Sequence, residues 1–349
     1  MANQIEGCAA GLRPGAFKLD IPGLLCYTAS DDRASGLGCR PANGNRFLQT
    51  VVMDMYLGID VGGTFTKLCV ADSELRILKS WKQPTEKTGD IVDFLEGLIR
   101  QSKQEFPDIS CVGMGLPGTV DAKSGIVHTA PAIIAGQRNI KQELASRLQM
   151  SVSIENDVAC WAIAEGKIGA CRGVADYVFI TLGTGIGSCI VIDGKIYKGA
   201  DLSAGEIGYM VFMEDLDRQA KSFDEFGSFE AKASAASIER DFHTDVGGKE
   251  TGAEMFARFR DPADAPAQAF ASRKMDYLAV GIANVITILN PESVVLAGGI
   301  TAQWDYLYQQ IGSRLARLIP NRVDLKKSET GAYGGALGAI LHALTEQKS

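Results

Sequence analysis

The chain has 349 residues, 46% of them hydrophobic and 22% charged, with a formal net charge of −7. A single core rarely grows that large, so two domains or two lobes are expected, and the acidic balance argues against general nucleic-acid binding. No C-x-x-C pair joins any of the eight cysteines, no secretory signal is present and no apolar run approaches the roughly 18 residues of a membrane span, which predicts a reducing, cytoplasmic setting.

Residues 1–54 stand apart. "GCAAGLRPGAF" and "ASDDRASGLGCRPANGNRF" are rich in Gly, Arg, Ser and Pro and have no sustained period. They read as a disordered leader or as an upstream region wrongly joined to the chain, the working protein beginning at Met53 or Met55. From Tyr56 the text is regular. "YLGIDV", "KLCVAD" and "RILKSWK" are strands, the first two joined by a glycine turn. A helix over about 90–105 carries Ile91, Phe94, Leu95, Leu98 and Ile99 on one face. "CVGMGLPG" (111–118) is a buried strand entering a Gly/Pro turn, "IKQELASRL" (140–148) an amphipathic helix, "VSIE" (152–155) a strand and "DVACWAIAEGKIG" (157–169) a helix. The opening plan then returns: "YVFITLGTGIGSCIVIDGKIY" (177–197) repeats the strand, glycine turn, strand of residues 56–78. A long helical region (about 264–289), the strand "SVVLAGG" (293–299), a helix (about 304–318) and a small-residue helix (334–347) complete the chain.

Glycines without Cβ let backbone N–H groups approach an anion, so "DVGGT" (60–64) and "LGTGIG" (182–187) can each hold part of a polyphosphate. Neither is a P-loop, because no G-K-[ST] follows, and Ser188 stands where G-x-G-x-x-G needs its last glycine. One such turn is commonly just a hairpin; two in repeated units carry more weight. Asp60, beside the first turn, can hold a magnesium ion against phosphates, directly or through water. In "ENDVACWAIAEG" (155–166), Asn156 or Asp157 is either a helix cap or, for Asp157, a general base at a strand-to-helix junction; on this stretch alone the cap is favoured. With only His128, His243 and His342, far apart in sequence, a histidine metal site or a Ser-His-Asp triad is not expected.

The succession "GIDVGGTFTK", "GLPGTVD", "ENDVA", "ITLGTGIG", "AGEIGYM" and "NPESVVLAGGI" resembles the ROK family of sugar kinases and sugar-responsive repressors, part of the actin/hexokinase-like ATPase superfamily, from about residue 55 to the C-terminus. The resemblance implies an α/β, two-lobed, RNase H-like fold with duplicated α/β domains and an interlobe cleft. One lobe would span 55–172, rejoined by the helix at 330–347, and the other 173–329. It implies that Asp60, Gly62, Gly63, Thr64 and Lys67 hold one end of the ATP phosphates, with magnesium near Asp60. Gly183, Thr184 and Gly185 would hold the other end, and Gly298 and Gly299 would flank the adenosine. Asp157 becomes the base, reversing the helix-cap preference, while Asn156, Glu206, Tyr209 and Glu230 would meet the sugar. A homodimer and a small sugar substrate are expected, with no nucleic acid and no membrane.

Two departures bear on substrate. Many members follow "GEIG" with histidine and carry a C-x-C-G-x-x-G-C-x-E loop that binds structural zinc. Here Tyr209 replaces that histidine, and Lys221, Phe223 and Ser228 stand at the cysteine positions, so no zinc is expected. The match of Glu230 depends on that loop alignment. The usual asparagine near residue 132 is also missing from "APAIIAG" (130–136). Zinc-less members with "GEFGYM"-like runs include β-glucoside kinases, so a glycoside or an unusual monosaccharide stands beside glucose as an acceptor. A repressor would need a helix-turn-helix domain for which residues 1–54 are too short and too rich in Gly and Pro. A catalytically inactive sugar-binding protein is the remaining alternative, against which intact Asp60, Gly62, Asp157 and Gly183 count.

Overall fold

The computed structural model describes residues 54–130, 135–217, 225 and 227–348. The segment before Asp54, most of "APAIIAG", Lys221 and Phe223 lie outside those residues.

Two stretches of the chain fold to one plan. In the first sheet β1 (Met55–Val61), β2 (Phe65–Asp72) and β3 (Ile77–Pro84) run antiparallel, and β4 (Ile109–Leu116) and β8 (Ser151–Asn156) add in parallel, in the order β3-β2-β1-β4-β8. The second sheet repeats this with β9 (Tyr177–Leu182), β10 (Ile186–Ile192), β11 (Lys195–Tyr197), β12 (Ser293–Ala297) and β13 (Asp324–Lys327), in the order β11-β10-β9-β12-β13. The repeated pattern read from the sequence is thus a repeated topology. A small third sheet, β5 (Thr119–Asp121), β6 (Ile126–Ala130) and β7 (Ala135–Asn139), follows β4. No strand pattern marks residues 119–139 in the sequence.

The central strands β4, β9 and β12 are apolar runs because helices cover both faces of each sheet. On one face of the first sheet lie α1 (Ile91–Glu105) and α2 (Ile140–Leu148), which place Leu95, Ile99, Ile140 and Leu144 against Leu57, Ile59, Val112 and Met114. Each helix starts at a side-chain cap: Asp90 accepts from the N–H of Val92 at 2.7 Å, and Asn139 from that of Gln142 at 2.9 Å. The opposite face receives α9 (Gly334–Glu346) at very close range. A methyl group on Gly58 would strike the Ala336 carbonyl, and one on Gly113 the Ala339 carbonyl. On its other side Gly338 leaves no room against the Cys160 carbonyl of α3 (Asp157–Ile168). The small residues of "GGALGAI" are therefore a packing requirement.

Helix α3 is shared between the sheets. It packs on α9, and its Ala159 and Ala162 join Phe179, Cys189, Val191 and Val295 of the second sheet in one cluster. The far face of the second sheet is covered by α7 (Ala265–Leu289) and α8 (Trp304–Leu318), with α4 (Ser228–Ala233), α5 (Ala235–Asp245) and α6 (Gly252–Arg260) adding Phe229, Phe242, Phe256 and Phe259. Among the described residues no helix is long and apolar enough to cross a membrane.

Candidate active site

The strand β8 ends and α3 begins at Asn156-Asp157, and local chemistry fixes both side chains. Asn156 is the helix cap: its Oδ1 accepts from the Ala159 N–H at 3.0 Å, while its Nδ2 donates to the Gly118 carbonyl at 3.0 Å and to Asp157 Oδ1 at 3.1 Å. Asp157 is thereby freed from capping and turned into a pocket lined also by Thr129, Gly183, Thr184, Gly185, Glu206, Tyr209, Glu225 and Glu230. Its carboxyl opens to that pocket, but protein crowds it elsewhere. Burial, then the negative charge of Asp60 and more weakly that of Glu206, push it up to about 7, against the opposing hydrogen bond from the Val158 N–H at 2.9 Å.

Glu206 precedes the 3-10 turn Ile207–Tyr209, and Glu230 comes from α4. Burial raises both carboxyls, and the charge of Glu230 adds to the effect at Glu206. Glu230 Oε2 accepts from the Ile186 N–H at 2.8 Å and leaves no space for a side chain at Gly185. It therefore reaches the same pocket as Glu206, although the intervening loop lacks the family's cysteines. The segment that carries it is held by Asp215. Asp215 accepts from Ser228 Oγ, from the Phe212 N–H at 2.9 Å and from Lys232 Nζ at 2.7 Å. Burial works against the charge on Asp215, but Lys232 and Ser228 outweigh it and hold the carboxyl down at about 2. Among the described residues no group of three or more His, Cys, Asp or Glu is placed to hold a metal. The Tyr209 hydroxyl donates to the Glu225 carbonyl at 2.9 Å, which fixes its ring at the pocket edge.

The glycine turns differ in what supports them. The first is closed by the Gly62 N–H on the Phe65 carbonyl at 3.1 Å and braced by Thr85, whose hydroxyl donates to the Gly62 carbonyl at 2.6 Å and whose N–H donates to the Thr64 carbonyl at 3.0 Å. Beside it, Asp60 and Lys67 are cross-strand partners with Nζ and Oδ2 3.8 Å apart, and Lys67 Nζ lies 5.5 Å from the centre of the Trp161 ring. Burial raises the Asp60 carboxyl and Lys67 only partly offsets it. The second turn is closed by the Gly183 N–H on the Gly185 carbonyl at 3.0 Å. Gly298 sits at φ 99°, where a side chain would strike the Leu182 carbonyl, whereas Gly299 faces open space. That gives Gly298 a packing reason of its own, at the end of β12 and next to the second turn.

Sequence reasoning passed over three groups. Glu155, 2% exposed, pairs with Lys198 at 2.7 Å and accepts from the Asn156 N–H, tying the strand before Asp157 to the segment after β11. Trp161 and Glu165 share α3 with Asp157. No motif flagged them, though their spacing of four residues along "DVACWAIAE" was visible.

Two copies of one strand plan, with a carboxylate at the start of the helix they share, define the class: the actin/hexokinase-like fold. The ROK family model matches residues 56–346. The chain belongs to the ROK family. It is 29% identical over 298 residues to the N-acetyl-D-glucosamine kinase of Photobacterium profundum, a match covering 81% of this chain and 98% of that one. Among solved structures it is similar to the ROK hexokinase of Thermus thermophilus, with a TM-score of 0.68 and 26% identity over 84% of this chain and 99% of that one. A Streptomyces griseus ROK glucokinase, solved in complex with glucose and AMPPNP, superposes with a TM-score of 0.69 at 25% identity over 83% of this chain and 99% of that one.

Proposed function

We propose that the protein transfers the γ-phosphoryl group of ATP to a hydroxyl of a hexose or hexoside, with Asp157 as the general base. The observation that carries this reading is the Asp157 carboxyl, pushed up to about 7 and turned into a pocket with two further glutamates. A base works best when its proton affinity lies near the working pH, and typically contributes about 10²–10⁴ in rate.

In this reading Asp157 takes the proton of the attacking hydroxyl. Glu206 and Glu230 accept hydrogen bonds from other hydroxyls and orient the ring, and Tyr209 covers one side of it. Asn156 orients the base through its amide, which donates to Asp157 Oδ1, and lines the same pocket, where Oδ1 can accept from a sugar hydroxyl. The Gly62 and Gly183 N–H groups close the two turns, and the backbone N–H groups of Gly63, Thr64, Thr184 and Gly185 receive phosphate oxygens. Asp60 fits a place beside a metal–phosphate group, since its crowded carboxyl has its Lys67 partner at 3.8 Å, beyond ordinary hydrogen-bond length. Magnesium bound there through phosphate oxygens and water would neutralise charge on the phosphoryl group. Residues 55–172 with 330–347, and residues 173–329, are proposed as lobes that close on the substrates and exclude water, which otherwise competes as acceptor.

The test is a coupled ADP-release assay with glucose, mannose, fructose, N-acetylhexosamines, allose and cellobiose. Turnover on at least one is expected. ATP binding with turnover on none would defeat the kinase reading in favour of an inactive sugar-binding protein.

A further inference from the structure

Asp157, Trp161 and Glu165 follow one another at four-residue spacing along α3, so they share one face of the helix. Glu165 is fully buried, and no step above uses it. Its two oxygens nevertheless accept from five donors: the Ala170 N–H at 2.8 Å, the Ser328 hydroxyl at 2.5 Å, the Glu329 N–H at 3.1 Å, the Thr330 N–H at 3.1 Å and the Thr330 hydroxyl at 2.7 Å. Burial raises this carboxyl, but these donors outweigh burial and hold it below its usual value. They come from the two segments that pass between the sheets, one between α3 and β9 and the other between β13 and α9.

Thr330 continues the chain of contacts. Its oxygen accepts from the Trp161 indole N–H at 3.0 Å while its own proton goes to Glu165. The Trp161 ring in turn lies under Lys67, the partner of Asp60. The start of α9 is wedged into this line. A methyl on Gly334 would strike both Thr330 Oγ1 and the Trp161 indole nitrogen, and one on Gly335 would lie 2.7 Å from Asp60 Cγ. The helix that carries Asp157 at its first turn therefore also fixes, eight residues on, the segment that sets Asp60 and Lys67.

We infer that Glu165, Thr330 and Trp161 are positioning residues: through Lys67 and the first turn of α9 they hold the nucleotide end of the site in register with the base. A buried carboxylate is costly unless fully hydrogen-bonded, and apolar residues would pack these segments at less cost. What the carboxylate adds is a fixed angle for several donors at once. The inference rests on the kinase reading, since it assigns the Asp60–Lys67 end to nucleotide.

The test compares Thr330→Val, Thr330→Ser and Trp161→Phe. Calorimetric Kd for Mg–ATP, Kd for the sugar that supports ADP release, and thermal midpoint are measured for each. Thr330→Val is expected to weaken Mg–ATP binding about tenfold, with sugar affinity within about twofold of wild type. Thr330→Ser keeps the hydroxyl and should restore wild-type values. Trp161→Phe keeps a ring under Lys67 but removes the N–H, and serves if Thr330→Val does not fold; about threefold weaker Mg–ATP binding is expected. A folded variant whose thermal midpoint falls while both affinities stay unchanged, or fall equally, would overturn the inference alone. Wild-type protein that binds no Mg–ATP would overturn the kinase reading and this inference with it.

Discussion

Tyr56, second in β1, and Tyr177, first in β9, stand four residues before Asp60 and Thr181, which occupy the same point before their glycine turns. The first hairpin pairs Val61 with Thr66 across residues 62–65, and the second pairs Leu182 with Ile186 across the shorter 183–185. Deeper in the sheets the contrast is larger. Gly58 pairs with Gly113 in the first sheet, under the backbone of α9, whereas Phe179 pairs with Val295 in the second, with Phe179 5.6 Å from the Trp161 ring. Hydrogen-bond topology is therefore the same in both halves while side-chain chemistry is not. One half gained a charged pair and a helix at backbone contact. The other gained bulk, and its turn is buttressed by a glutamate from a separate helix.

The largest expected effect falls where the halves meet. Asp157→Asn should lower kcat by about 10²–10⁴ while calorimetric Mg–ATP affinity stays close to wild type; near-normal turnover would remove Asp157 as the base. Next come substitutions that exchange the character of the two halves. Phe179→Ala should cost about 3–5 kcal/mol in urea unfolding. Gly58→Ala should cost about 1–3 kcal/mol, because its methyl has no space beside Ala336. A neutral Gly58→Ala would mean that α9 does not approach the first sheet as closely as described.

Asp215→Asn tests the buttress of the second half. The carboxyl is held down at about 2, so the stability it contributes is present above about pH 4 and lost as pH falls through 2. At pH 7 the variant should lose about 2 kcal/mol, a gap that closes toward pH 2, and its KM for sugar should rise with Glu230 loosened. A constant gap across that range would remove the charge from the account.

The smallest effect has the opposite sign. Because Asp157 is pushed up to about 7, the folded state keeps a proton that the unfolded chain gives up near pH 4. Stability present below that value is lost as pH rises to about 7. Asp157→Asn should therefore melt about 2–4 °C above wild type at pH 8 and together with it at pH 4, the carboxyl's opening to the pocket limiting the gain.

Strong periodicity made much of this fold legible. The helices at 140–148 and 304–318 fall where their apolar spacing puts them, and the two hairpins announced the repeated topology. The sheet of β5, β6 and β7 was not legible, because strands of three to five residues are too short to show alternation. The helices at 228–260 were obscured by acidic and glycine-rich text, although Phe229, Phe242, Phe256 and Phe259 anchor them from within. In the candidate site, glycine spacing pointed to the turns, while Asp157 as base and Glu206 as a sugar ligand came from the family resemblance, the stretch 155–166 alone favouring a helix cap. Glu165 with Thr330 and Glu155 with Lys198 join residues far apart in the chain, and neither pair has a local pattern.

The close fit of α9 on Gly58 and Gly113 also orders events in time. The first sheet is synthesised early, yet the helix that covers one of its faces is made only after every strand of the second sheet. Until then a glycine-centred surface stands open, and the earlier half can reach only a partly folded state. Completion of the first sheet is thus tied to synthesis of the second.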